Sequence, residues 1–156
     1  MEKEIVNLEA RLSEHYTLGE MIKTKAKGLD NTPPHGAVIN LKNLCENWLE
    51  DLRYSYNQLY GGEEPIIINS GYRSEAVNKA VGGAKESNHL SGCAVDIKCF
   101  GIEQAIRYAA ILLDIADGKK QEFDELLIER SPKGSYWLHF AVRPKENRRK
   151  VRFIQT

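Results

Sequence analysis

Phe123-Asp124-Glu125-Leu126-Leu127-Ile128-Glu129-Arg130, then Ser131-Pro132-Lys133-Gly134-Ser135, then Tyr136-Trp137-Leu138-His139-Phe140-Ala141-Val142: this stretch decides the fold. The central five residues form an ordinary hairpin loop, and the flanks predict two antiparallel strands. If Arg130 faces Tyr136, Ile128 faces Leu138 and Leu126 faces Phe140, so one surface of the hairpin is wholly apolar and packs inward. On the opposite surface Leu127 lies across from His139, while Glu129 opposes Trp137 and sits diagonal to His139. A slip of one residue would turn Glu129 into the core and bury its charge, which selects this register.

Upstream, Ala94-Val95-Asp96-Ile97-Lys98 alternates, with Val95 and Ile97 on one face and Asp96 on the other, and predicts a strand beginning near Cys93. Pro65-Ile66-Ile67-Ile68-Asn69-Ser70 predicts a short buried strand that delivers Gly71-Tyr72-Arg73 to its end. Ser74 to Ala80 reads as a short helix capped by Ser74, and Ile102 to Ala116 as an amphipathic helix stopped at Gly118-Lys119-Lys120. Thr17-Leu18-Gly19-Glu20 is a capping box. From about Pro34 to Tyr56 the apolar residues Val38, Leu41, Leu44, Cys45, Trp48, Leu49 and Leu52 recur at three and four, the stripe of a long core-facing helix in which Trp48 is core. Strands mixed with segregated helices give an α+β domain on a mainly antiparallel central sheet, with one domain spanning residues 1–156.

Composition bounds the function. The 156 residues, 42% hydrophobic and 28% charged, suit one compact core. Twenty-two basic side chains balance 22 acidic ones, so no global field draws nucleic acid or an anionic membrane. The start, Met1-Glu2-Lys3-Glu4-Ile5, has no apolar run of a signal peptide, and no segment approaches the roughly 18 apolar residues of a spanning helix. Residence in the cytoplasm as synthesised, as a monomer, is the expectation. Cys45, Cys93 and Cys99 are odd in number, and Cys93 and Cys99 stand about 20 Å apart along one predicted strand, so free thiols are expected. The tail from Arg143 to Thr156 carries Arg143, Lys145, Arg148, Arg149, Lys150 and Arg152 against Glu146. A solvated basic face is its plain reading, and contact with an anionic cell envelope the sharper one.

The chemistry converges on His89, Asp96 and His139, two imidazoles and a carboxylate that suffice for a catalytic zinc with one open position. His89 lies in the glycine-broken loop Ser87-Asn88-His89-Leu90-Ser91-Gly92, Asp96 in the strand that follows, and His139 in a distant strand. A lone histidine beside such a loop is usually a surface or capped residue; three together are not. Cys93 stays open as a ligand, although its alternation opposes Asp96. His15 and His35 read as structural or solvent-exposed.

The set Ser70-Gly71-Tyr72-Arg73-Ser74, Ser87/His89/Gly92/Ala94/Asp96 and Trp137-Leu138-His139 resembles the zinc D-alanyl-D-alanine carboxypeptidase family, which also holds D,D-dipeptidases and phage L-alanyl-D-glutamate endolysins. The similarity spans about Leu12 to Val142. It implies a hedgehog/DD-peptidase-like fold and zinc-dependent hydrolysis, by metal-activated water, of a peptide bond next to a D-amino acid in a peptidoglycan stem peptide. It also implies Zn2+ on His89, Asp96 and His139. Arg73 offers a planar fork to a substrate carboxylate or oxyanion, against the alternative of a surface salt bridge, and no partner for its charge is evident nearby in sequence. Ser87 matches a substrate-bonding serine, or else bonds local backbone.

Family dipeptidases and endolysins carry Glu three residues before the last zinc histidine; this chain has Tyr136 there, and a phenol is a poor general base. Glu129 is the substitute by register, with an exposed cross-strand role as its alternative. Tyr136 therefore keeps alive a second class of function, a non-catalytic envelope-binding or phage structural module that retains the fold. A wall hydrolase without an export signal fits a phage lysis enzyme, held in the cytosol until the membrane is permeabilised.

Overall fold

The structure, a computed structural model, describes residues 6–156; the five residues on which the N-terminal expectation rested lie outside the described residues. The chain opens with a two-stranded antiparallel ribbon, β1 (Arg11–Ser13) and β2 (Tyr16–Thr17), and passes into α1 (Leu18–Ile22). The capping box forms as expected: the Thr17 hydroxyl accepts from the Glu20 amide while the Glu20 carboxylate accepts from the Thr17 amide.

The long apolar stripe makes one helical rod in three parts. After Pro34 come α2 (His35–Leu44), a π-helical turn at Cys45–Leu49, and α3 (Glu50–Tyr60), closed by Gly61 at φ +74°. The sequence predicts the rod and its inward residues but not the π turn, because Leu41, Leu44, Cys45, Trp48, Leu49 and Leu52 are all buried either way. Trp48 is core: its ring lies 5.1 Å from Phe140 and 6.5 Å, edge-on, from Phe123.

Next come β3 (Ile68–Ser70), α4 (Glu75–Ala80) capped by the Ser74 hydroxyl, β4 (Ala94–Cys99), α5 (Ile102–Lys119), β5 (Glu125–Arg130), β6 (Tyr136–Ala141) and β7 (Lys150–Gln155). The second sheet has five strands in the order β3-β4-β6-β5-β7. All its pairs are antiparallel except β5–β7. The hairpin register is the expected one, Arg130 opposite Tyr136 through Glu125 opposite Ala141. Val95, Ile97, Leu126, Leu138 and Phe140 turn to the core, and α5 packs across β4, β5 and β6. This is an α+β fold, and it leaves the other sheet face free for polar residues.

The C-terminal segment stays largely exposed, as a solvated basic face requires, and adds to that reading an edge strand and internal ion pairs. Lys150–Gln155 is a strand that satisfies the outer backbone groups of β5, and the run of charges hid its period of two. Several of the cations are neutralised internally: Arg148 makes two bonds to the buried Asp124, Arg143 also reaches Asp124, and Arg149 pairs with Asp117 and Glu122. Cys45, Cys93 and Cys99 are free and buried. Among the described residues no helix is long and apolar enough to cross a membrane.

Candidate metal centre

Asp96 and His139 face each other directly across β4 and β6, so the sheet itself sets their separation. His89 reaches them from a 3-10 turn, Asn88–Ser91, whose first amide bonds are organised by Ser87: its hydroxyl accepts from the His89 amide at 3.1 Å. Gly92 ends that turn at φ +72°, and a Cβ there would stand 2.4 Å from the Ala37 carbonyl oxygen. Only glycine meets both demands. One atom from each of His89, Asp96 and His139 falls within 4.8 Å of the others. His89 Nε2 and His139 Nδ1 approach Asp96 Oδ1 to 3.3 and 3.1 Å.

The far nitrogen of each imidazole is held. His89 Nδ1 lies 2.7 Å from the Gly71 carbonyl, which makes it the donor and leaves the Nε2 lone pair facing the cluster. Gly71 is pressed against α1, where a Cβ would come within 2.3 Å of the Met21 carbonyl oxygen. Its carbonyl is thereby a rigid acceptor. His139 Nε2 lies 3.1 Å from Glu125 Oε1, the outer carboxylate that commonly orients a metal-binding histidine. Asn88 clamps Glu125 from behind, giving its side-chain amide to both Glu125 and Asp124. Without metal, burial opposes a charge on His139, but the hydrogen bonds and charges of Asp96 and Glu125 prevail and hold its pKa up to about 9. Burial likewise opposes the Asp96 carboxylate, and His89 and His139 hold it well below the usual range. The bond to His139 lowers Glu125. Two nitrogens and an oxygen with their outer partners in place are a donor set that fits zinc, which His89, Asp96 and His139 would hold.

Arg73 has the partners that the sequence leaves unseen. Nε donates to Ser70 Oγ at 3.0 Å, one terminal nitrogen to Asn78 Oδ1 at 3.3 Å, and the other to Asp96 Oδ2 at 3.1 Å. It ties the ligand carboxylate to the end of β3 and is not a loose surface pair. Glu129 lies on the face of His139 as its register requires, and its Oε2 accepts from Trp137 Nε1 at 2.8 Å. Burial first, then the nearby Asp96 charge, raises its pKa. Cys93 stands outside the cluster, its buried thiol directed to the Ser91 carbonyl, and burial raises its pKa. His15 pairs with Glu50, and His35 is exposed at the start of α2.

The sequence missed Glu125 and Asn88. Glu125 is the other diagonal neighbour of His139, related to Glu129 by the same hairpin arithmetic. That symmetry was the available signal.

A family model described as Peptidase M15 matches residues 14–127. The chain belongs to this family. Membership makes it a metallopeptidase, and the matched residues carry His89 and Asp96, while His139 and Glu129 lie beyond them on the hairpin. A comparison with curated proteins gave no match. The candidate ligand set of this M15 chain extends past the matched segment, because His139 lies on β6, where it pairs with Leu127 across the hairpin.

Proposed function

We propose that this M15 peptidase is a zinc enzyme that hydrolyses a peptide bond adjacent to a D-amino acid in peptidoglycan stem peptides, as a carboxypeptidase or an endolysin-type endopeptidase. The observation that carries the proposal is the convergence of His89, Asp96 and His139 beside an open cleft of about 760 Å³ bounded by Arg73, Tyr136 and Trp137. Zinc supplies Lewis acidity for the scissile carbonyl and lowers the pKa of water to about 7.

The chain's own groups supply the rest. Glu129 stands where it can take a proton from the attacking water and return it to the leaving amine, and its partial burial favours a carboxylate able to hold a proton. Arg73 keeps Asp96 in place and presents its guanidinium at the cleft wall, where a substrate carboxylate or developing oxyanion would lie. Ser87 shapes the His89 turn and is the second substrate-binding candidate. The wall is reached after release from the cytosol, as for a phage lysis enzyme acting as a monomer.

Tyr136 favours one second reading, an envelope-binding module without turnover. Digestion of sacculi with zinc-loaded protein, followed by mass spectrometry of the muropeptides, separates the two. New stem-peptide termini that vanish with a chelator support the peptidase; retention on sacculi with no new termini sinks it.

A further inference from the structure

The cleft beside the metal centre is strongly cationic in a chain that is neutral overall. Its wall carries Lys23 and Lys25 from the loop after α1, Arg73 from the end of β3 and Lys98 from β4, and no carboxylate. Lys98 lies on the Asp96 face of β4, two residues further along, opposite Trp137. All three lysines are exposed, and among the described residues none is in an ion pair; the Lys98 ammonium is 5.0 Å from the Phe100 ring. Elsewhere some cations are matched, as Arg148 and Arg143 to Asp124, Arg149 to Asp117, Lys119 to Asp51, Arg107 to Glu103 and Lys42 to Glu46, and others such as Lys79, Lys85 and Lys145 stand without an ion pair among the described residues. What sets Lys23, Lys25 and Lys98 apart is their place together on one concave wall without a carboxylate. A concave wall of one sign concentrates anions within a Debye length, roughly 8–10 Å.

We infer that Lys23, Lys25 and Lys98 form an acid-recognition wall, which selects peptides carrying free carboxylates on the part of the substrate lying between the metal centre and the β5–β6 turn. The inference rests on the peptidase reading but deepens it, by making an anionic peptide the preferred substrate and its amidated counterpart a poor one. A cleft of about 760 Å³ holds a segment of a few residues, and Arg73 joins it directly to the Asp96 carboxylate. Three separated ammonium groups suit carboxylates spread along a peptide better than one compact anion.

Trp137 lines this cleft while Trp48 is buried in the core, so ligand-dependent fluorescence reports on Trp137. The probe is N-acetyl-D-glutamyl-D-alanine, with two carboxylates, against its diamide, titrated into the zinc-loaded protein. The dicarboxylate should bind at least about tenfold more tightly at low salt, with the preference shrinking as ionic strength rises. Lys98→Gln and the double variant Lys23→Gln/Lys25→Gln should each reduce that preference by about two- to fivefold per lysine, whereas Lys42→Gln, on the far helix, should leave it intact. Equal affinity for acid and diamide, an undiminished preference in the lysine variants, or inorganic phosphate binding as tightly as the dicarboxylate would overturn the inference. Preference without any cleavage of sacculi sinks the peptidase reading alone, and cleavage without preference sinks the wall alone.

Discussion

The two faces of the β4–β6–β5 sheet come from the same strands and obey different rules. On the inner face Val95, Ile97, Leu126, Leu138 and Phe140 share one apolar cluster with Trp48 and Phe123, and each contact has several neighbours to replace it. On the outer face Asp96, His139, Glu125 and Glu129 are each held by one to three particular polar partners. Burial is non-directional and tolerates approximation, whereas a ligand set depends on particular lone pairs pointing particular ways. Damage to the inner face should therefore appear as lost stability, and damage to the outer face as lost chemistry in a folded protein.

The sharpest probe of that contrast is Glu129→Gln, which should retain fold and zinc yet lose about 10²–10⁴ in turnover on muropeptides. A nearly active variant would end the assignment of Glu129 as the base. On the inner face, Phe140→Ala removes a fully buried ring packed on Trp48 and Phe123 and should cost about 3–5 kcal/mol in denaturant unfolding. A loss of activity without loss of stability there would blur the two faces. Glu125→Ala should weaken zinc affinity by about 10- to 100-fold in competition with a chelator, while the thermal midpoint of the metal-free protein moves far less than in Phe140→Ala. Unchanged affinity would reduce Glu125 to a partner of Asn88. The smallest effect belongs to Tyr136→Phe, with stability shifted by about 0.5 kcal/mol or less and turnover nearly kept. A dead Tyr136→Phe beside an active Glu129→Gln would invert the roles.

The same contrast explains what could be read from residues alone. Alternation in Glu125–Arg130 and Tyr136–Ala141 settles register, and register settles which side chains share a face, so the hairpin and the core follow from pattern, whereas the meeting of Asp96 with His139 depends on the β4–β6 pairing, which alternation in the hairpin leaves open. Glu125 follows from that pattern too, but only when both diagonals of His139 are considered. The β7 strand was hidden because four of the six tail cations, Arg143, Arg148, Arg149 and Arg152, look like a solvated surface until Asp124, Asp117 and Glu122 are brought to three of them by the fold. Arg73 looked unpaired for a similar reason: Asp96 is 23 residues away in sequence and 3.1 Å away in space. The π turn left no trace, since both helical geometries bury the same stripe.

His89 is oriented by a main-chain oxygen, that of Gly71, and this has a consequence for how the protein can vary. No side-chain replacement deletes a carbonyl, so truncating the neighbouring side chains would leave in place the group that sets the tautomer of His89. The vulnerability is displaced onto a residue with no side chain at all. Gly71→Ala would force the β3 end away from Met21 and carry the acceptor with it, making a position with no functional group of its own one of the least substitutable in the protein.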